Sequence, residues 1–151
     1  QGQPRRGLLR RQAVVHRMNL FIDSTVPLYA LGLQSPQRDH CRRLLRESID
    51  QGVSLHTDVE VLQEVLYHRM RRTTRDQAVA ECRGLADTLV IHDVTLEVWH
   101  RATALVETTS IRGRDAFHAA AALLAGFDAI VTTDSDFDGI PGLRRIDPRD
   151  A

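Results

Sequence analysis

The feature that most constrains the fold of this chain is a regular alternation between short apolar runs and longer stretches with helical periodicity. Five apolar runs are typical of strands: residues 19–23, 53–56, 89–92, 129–132 and 143–146. Segments of helical length lie between the first four of these runs. Repeated strand–helix units predict an α/β fold in which helices cover both faces of a central, mainly parallel sheet.

Capping residues indicate where several helices begin. Ser24 or Thr25 is placed to cap the first helix, directly after the first apolar run. Two capping boxes follow, one starting at Thr57 and the other at Thr74. An alanine-dense helix is expected to start at Asp115. Each of these helices follows a predicted strand or another helix, as the α/β interpretation requires.

Charge is unevenly distributed, although the formal net charge is zero. All 20 basic residues are Arg, and five of them lie in residues 1–17, which contain no acid. We predict that residues 1–17 form a basic extension that is disordered or not native, and that residues 18–151 form one domain. A functional basic arm is the alternative for the extension. The domain carries 15 Arg against 20 acids, so nucleic acid would need a local basic patch or metal ions that offset the acids.

Neither membrane insertion nor secretion is indicated. No apolar run approaches the ~18–20 residues that a spanning helix needs, and the N-terminal residues lack the apolar core of a signal peptide. The two cysteines, Cys41 and Cys82, make neither a disulfide framework nor a paired-cysteine zinc site. We therefore expect a cytoplasmic protein.

Acidic residues follow or adjoin the predicted strands at positions that converge in a parallel sheet. Asp23 ends the first apolar run, Asp134 lies just past the fourth, and Asp115 lies in the first turn of the helix between. The carboxyl ends of parallel strands meet at one edge, where such sheets bind ligands. Carboxylates gathered there repel one another unless a divalent cation bridges them, and hard oxygen ligands favour Mg²⁺ or Mn²⁺. A cation held in this way can activate water for attack on a phosphoryl group.

Each acid also has a simpler structural explanation. An Asp after a strand is common as a helix cap, and an Asp in a first helical turn interacts well with the helix dipole. Periodicity places Glu60 and Glu64 together on a polar helix flank and selects neither of them. His118 lies one turn after Asp115, where a packed or hydrogen-bonded histidine is the simpler interpretation than a catalytic one.

Arginines supply the candidate contacts to an anionic substrate. Arg112 and Arg114 adjoin Asp115 and are the best candidates. Two further clusters could form a phosphate track or simply a solvated surface: Arg42, Arg43 and Arg46, and Arg69, Arg71, Arg72 and Arg75. Aromatic residues make up only 5% of the chain, so no stacking platform for single-stranded nucleic acid is predicted.

Four blocks of the sequence together resemble the PIN domain, and specifically the VapC-type ribonuclease toxins of prokaryotic toxin–antitoxin pairs. The blocks are LFIDSTVPLYA at residues 20–30, VLQEVLY at 61–67, RDAFHAA at 114–120, and VTTDSDFD at 131–138 with the segment that follows to residue 148. Their order and spacing are more specific than any block alone. The resemblance covers nearly all of residues 18–150, and residues 1–17 lie outside it.

The resemblance implies a PIN-like α/β/α sandwich and a set of functional residues. Its acidic quartet around Mg²⁺ or Mn²⁺ would be Asp23, Glu64, Asp115 and Asp134. Asp136 would be a supplementary acid, while Ser24 and Thr133 would position a water or the scissile phosphate. These roles are carried over from the family pattern onto matching positions.

The activity implied is that of a Mg²⁺-dependent endoribonuclease toxin, a homodimer neutralised by a cognate antitoxin protein. Two alternatives remain open at this point. One is a non-catalytic module that binds RNA or protein, because one fold serves many roles. The other is a metal-dependent DNA nuclease, because the residues do not distinguish RNA from DNA.

Overall fold

The computed structural model describes residues 19–32 and 34–151, and the predictions about residues 1–17 lie outside this part of the chain. The strands are β1 (Leu20–Phe21), β2 (Leu55–Asp58), β3 (Val90–His92), β4 (Ala129–Val131) and β5 (Arg144–Ile146). The helices are α1 (Thr25–Leu31), α2 (Pro36–Asp50), α3 (Val59–Met70), α4 (Arg75–Thr88), α5 (Leu96–Thr108) and α6 (Gly113–Leu124). A 3₁₀ turn spans Ser135–Phe137. Among these described helices, none has the length and hydropathy needed to cross a membrane.

The strands form a parallel sheet, as the alternation of strands and helices predicted. β1 pairs with β2, and β2 pairs with β3, all in parallel. β4 pairs in parallel with β5. A parallel bridge between Ile22 and Val131 connects the two groups, which gives the strand order β3–β2–β1–β4–β5. The strand order therefore reverses between β1 and β4.

Hydrophobic side chains on the two faces of the sheet form two clusters. Phe21 and Ile130 belong to the cluster that contains the buried alanines of α6 and residues of α5. Ile22 and Val131, the next residue in each case, belong to the cluster formed with α1 and α2. Successive residues of a strand point to opposite faces, so both faces are covered and the three-layer α/β/α prediction is confirmed.

The helix starts differ from the sequence predictions at α3, at α1 and at α6, which begins at Gly113 rather than at Asp115. Thr74 caps α4 by accepting a hydrogen bond from the Gln77 amide, as predicted. The prediction of Thr57 as a cap is wrong: Thr57 lies in β2, and Asp58 caps α3 by accepting from the Val61 amide. The reason is a two-residue shift of the strand, which ends at Asp58 rather than at residue 56.

The second difference concerns α1. Ser24 is its N-cap residue but makes no side-chain capping bond. The Asp23 carboxylate accepts the hydrogen bond of the Thr25 amide instead. The acid that ends β1 is thus fixed by the first turn of the helix that follows it.

Candidate active site

The candidate site lies where β1 and β4 end side by side, at the point where the strand order reverses. Open α/β sheets bind their ligands at such switch points. Asp23 follows β1, and Thr132 and Asp134 follow β4. The Asp23 amide donates to the Val131 carbonyl at 3.2 Å, so the two chain segments run together into the site.

Asp23 is buried and held by hydroxyl groups on both of its oxygens. Oδ1 accepts from the Thr25 hydroxyl at 2.6 Å and from the Thr25 amide at 3.0 Å. Oδ2 accepts from the Thr132 hydroxyl at 2.6 Å. Burial raises the pKa of Asp23 to about 6, although these hydrogen bonds oppose the shift. The carboxylate is therefore rigidly placed but costly to ionise without a cation nearby.

Glu64 is fixed by a buried ion-pair network that the sequence did not predict. His118 Nδ1 lies 2.8 Å from Asp58 Oδ2, and His118 Nε2 lies 2.8 Å from Glu64 Oε1. Burial alone would lower the pKa of His118, but its hydrogen bonds to the two carboxylates outweigh this and raise it to about 10. The hydrogen bond from His118 and its positive charge hold the pKa of Glu64 below its usual value, against the effect of its burial. The imidazolium therefore donates to both acids and fixes the position of Glu64.

Asp115, Asp134 and Asp136 form the more open part of the site. One carboxylate oxygen from each lies within 4.8 Å of those of the other two. The Asp134 carboxylate also accepts from the Asp136 amide at 2.9 Å, which orients the 3₁₀ turn. Burial and the charges of Asp134, Asp23 and Glu64 raise the pKa of Asp115 to about 6. The ligand-distance group therefore contains Asp115, Asp134 and Asp136, while Asp23 and Glu64 lie outside it but near enough for their charges to act on Asp115.

The donor set suits a hard divalent cation. All of the converging ligands are carboxylate oxygens, which Mg²⁺ and Mn²⁺ prefer over the softer ligands of Zn²⁺. A cation at this position would offset the repulsion that raises the pKa of Asp115. Within the described residues, the Asp115, Asp134 and Asp136 group is the one cluster with metal-ligand spacing.

The predicted substrate-binding residues surround these acids to different degrees. Ser24 is buried, and its hydroxyl helps to lower the pKa of Glu64. Thr133 is half-buried, and its amide donates to the Thr25 hydroxyl at 3.1 Å. Arg112 and Arg114 are exposed at the start of α6, and the charge of Arg114 also lowers the pKa of Glu64. The latter effect places Arg114 close to the acids.

Sequence reasoning missed the residues that hold the acids in place. Thr25 and Thr132 bind Asp23, while Asp58 binds His118. Asp58 lies next to Thr57, which was predicted as a helix cap, and Thr132 lies next to Thr133, which was predicted to bind the substrate. In both cases the sequence pattern indicated the neighbouring residue. His118 is hydrogen-bonded, as the simpler interpretation held, although its partner is Glu64 of the acidic quartet.

Comparison with known proteins gives the family and relatives of the chain. The model of the PIN domain family matches residues 20–143. Ribonuclease VapC13 of Mycobacterium tuberculosis is 30% identical over 130 residues, which cover 84% of this chain and 98% of that protein. Ribonuclease VapC7 of the same species is 33% identical over 132 residues, covering 85% of this chain and 91% of that protein. A toxin–antitoxin complex from Klebsiella pneumoniae aligns with a TM-score of 0.65 at 17% identity, covering 88% of this chain and 100% of that chain.

The three-layer fold, its acid-lined switch point and the family match define a PIN-domain protein, and the chain belongs to the PIN domain family. Within that family, similarity over nearly the whole length of its relatives places the chain in the VapC group. The resemblance found in the sequence is thereby confirmed.

Proposed function

We propose that this chain is a metal-dependent endoribonuclease that acts as the toxin of a toxin–antitoxin pair in the cytoplasm. The observation that carries the proposal is the group of carboxylate oxygens of Asp115, Asp134 and Asp136 within 4.8 Å of one another, with the charges of Asp23 and Glu64 near enough to act on Asp115. Relatives that carry the name ribonuclease cover most of the chain and support the choice of RNA as substrate. A binding module freed from catalysis need not keep four mutually repelling acids.

Mg²⁺ or Mn²⁺ would be held by Asp23, Glu64, Asp115 and Asp134, with Asp136 as a further oxygen ligand. When bound, the cation lowers the pKa of a water molecule and offsets negative charge on the phosphate. The chain itself supplies oxygen ligands that are already in place, because Asp23 and Glu64 are fixed by buried hydrogen bonds. Placing ligands in advance reduces the ordering that binding requires.

Thr133, Arg112 and Arg114 would bind the substrate around these acids. Thr133 lies at the end of β4, where its hydroxyl can donate to a phosphate oxygen, whereas the single hydroxyl proton of the buried Ser24 is directed to Glu64, so Ser24 would act by orienting that acid. Arg112 and Arg114 are exposed and offer planar donors that match phosphate geometry.

A cognate antitoxin and a second copy of the chain would be the protein partners. The Klebsiella toxin–antitoxin complex shares the fold of this chain and supports an antitoxin as partner. Copurification with the product of a neighbouring reading frame tests the antitoxin, and sedimentation analysis of the purified chain tests the homodimer.

Cleavage of end-labelled RNA by the purified protein tests the catalytic proposal. We expect cleavage with Mg²⁺ or Mn²⁺ and none with EDTA. Asp115→Asn and Asp23→Asn should each reduce the rate by about a hundredfold or more, because even outer-shell changes at metal sites cost about 10- to 100-fold. Asp87→Asn, which neutralises an exposed acid of α4, is the matched control.

Cleavage that survives both site substitutions would overturn the assignment. A DNA strand of the same sequence serves as the substrate control, and equal cleavage of DNA and RNA would favour the DNA nuclease alternative.

A further inference from the structure

Tyr67 presents an exposed aromatic ring at the edge of the candidate site. It lies one helical turn after Glu64 on α3, and 44% of its surface is exposed. Tyrosine is intermediate in burial among residue types, and an exposed ring offers its face to a cation.

Two guanidinium groups approach this ring. The guanidinium carbon of Arg71 lies 5.6 Å from the ring centroid, and that of Arg114 lies 5.9 Å from it. Arg71 also donates to the Tyr67 hydroxyl at 2.8 Å. Cation–π attraction and this hydrogen bond restrict both side chains, so the ring gathers two like charges that would otherwise move apart.

The two arginines differ from Arg69 in having no acidic partner in the described part of the chain. Arg69, on the same helix, is neutralised by Glu81 at 2.8 Å. Among the described residues, neither Arg71 nor Arg114 forms an ion pair with a carboxylate. Apart from the donor that Arg71 gives to the Tyr67 hydroxyl, their N–H groups can therefore bind an anion from solution.

The position of this pair relates it to the acidic site. Arg114 directly precedes Asp115 in α6, and its charge lowers the pKa of Glu64. Tyr67 follows Glu64 on the exposed side of α3. Arg114 thus connects the Tyr67 ring to the acidic site, and Arg71 lies against the same ring.

We propose that Tyr67, Arg71 and Arg114 form a clamp for an RNA backbone phosphate next to the one that is cleaved. This inference rests on the proposed function, since it takes the substrate to be a polynucleotide. Arginine guanidinium groups bind phosphate oxygens bidentately, and the Tyr67 ring would hold both groups where the RNA strand passes. A bound strand would then be fixed at two points, the acidic pocket and the clamp.

Binding of a fluorescein-labelled, single-stranded RNA dodecamer tests the clamp independently of cleavage. Fluorescence anisotropy is measured in EDTA, at several KCl concentrations, with the full chain. The double variant Arg71→Ala/Arg114→Ala should weaken binding by roughly tenfold. It should also flatten the plot of log affinity against log salt by about 0.7, the value for one phosphate on a single strand.

Matched controls separate the clamp from general charge loss. Arg83→Ala/Arg101→Ala removes the same charge from exposed arginines of α4 and α5 and should leave the salt slope nearly unchanged. Tyr67→Ala should weaken binding by about threefold because it releases both guanidinium groups. Tyr67→Phe keeps the ring and should cost less than about twofold.

Three results would overturn the clamp: no RNA binding by the unchanged protein, equal affinity and slope for both double variants, or loss of binding to a polyglutamate peptide without loss for RNA. The last would assign the surface to an acidic protein partner. If the unchanged protein binds RNA through the clamp but does not cleave it with Mg²⁺, the clamp stands and the proposed nuclease activity fails.

Discussion

The two halves of the candidate site are built in opposite ways. Asp23 and Glu64 are buried, and their oxygens accept hydrogen bonds from Thr25, Thr132 and His118. Asp115, Asp134 and Asp136 are half-buried or exposed and lie in a turn and a first helical turn. The difference indicates that the buried half sets the geometry, while the exposed half supplies oxygens that remain available to a ligand.

This contrast predicts that substitutions in the buried half change stability and activity together. In the exposed half, activity should change with little loss of stability, or even with a gain. Four substitutions test this contrast.

Removing His118 should have the largest effect. His118→Ala leaves Asp58 and Glu64 as buried carboxylates without their shared donor, and breaking a buried pair in this way costs about 3–5 kcal/mol. Denaturant unfolding measures the change. His56→Ala is the control, because it removes a half-buried histidine whose hydrogen bond joins it to His92 and should cost about 1 kcal/mol. A loss below about 1 kcal/mol for His118→Ala would show that the network does not hold the site.

The hydroxyl of Thr132 should matter for both stability and activity. Thr132→Val keeps the shape but leaves Asp23 Oδ2 without its donor, so we expect a loss of about 1–3 kcal/mol. Cleavage should fall by about 10- to 100-fold, as it does when outer-shell partners of metal ligands are removed. Thr57→Val is the matched control: its buried hydroxyl donates to the Ile22 carbonyl, and its loss should reduce stability with a much smaller effect on cleavage. Equal effects of the two variants on cleavage would contradict a special role for Thr132.

Asp115→Asn should stabilise the metal-free protein while abolishing its response to metal. The substitution removes a carboxylate that Asp134, Asp23 and Glu64 repel. Thermal unfolding in EDTA should therefore occur at the same or a higher temperature than for the unchanged chain. Mg²⁺ at 100 times its Kd should stabilise the unchanged chain by about 2.7 kcal/mol and the variant by much less. A metal response of equal size in both proteins would remove Asp115 from the ligand set.

Asp136→Asn should have the smallest effect on stability and on cleavage. It tests most directly whether the exposed half of the site affects activity without affecting stability. Asp136 is exposed, so its substitution should change stability by less than about 0.5 kcal/mol. Because Asp136 is proposed as a supplementary ligand, its substitution should reduce cleavage several-fold and raise the Mg²⁺ concentration needed for half-maximal rate. Asp138→Asn, on the same turn but in an ion pair with Arg145, is the control. An unchanged Mg²⁺ requirement in Asp136→Asn would exclude it as a ligand.

The parallel sheet and the shared location of three of the acids can be predicted from the sequence because both follow from local patterns. Strand–helix alternation is a local pattern, and parallel pairing follows from it without knowledge of distant contacts. That pairing is enough to bring Asp23, Asp115 and Asp134 to one edge. Glu64 was added only through the family resemblance, since Glu60 has the same helical environment by periodicity.

What the sequence does not reveal depends on contacts between distant residues. Glu64 is distinguished from Glu60 by His118, which lies 54 residues further along the chain. Asp58 takes the capping role predicted for Thr57 because Thr57 pairs with Ile91 and Asp58 with His92, which extends β2 to Asp58. Likewise, the clamp residues Tyr67 and Arg71 gain their significance only when α6 brings Arg114 to the same ring.

The bridge between Ile22 and Val131 has a consequence for how the domain opens. It joins the strands of residues 20–92 to those of residues 129–146, and the Asp23–Thr132 contact lies directly beyond it. A cation bound by both Asp23 and Asp134 would bridge this junction and stabilise the contact between the two groups of strands. Removal of the cation by a chelator would then weaken the contact between the two groups of strands. Amide hydrogen exchange should become faster in both groups at the same time.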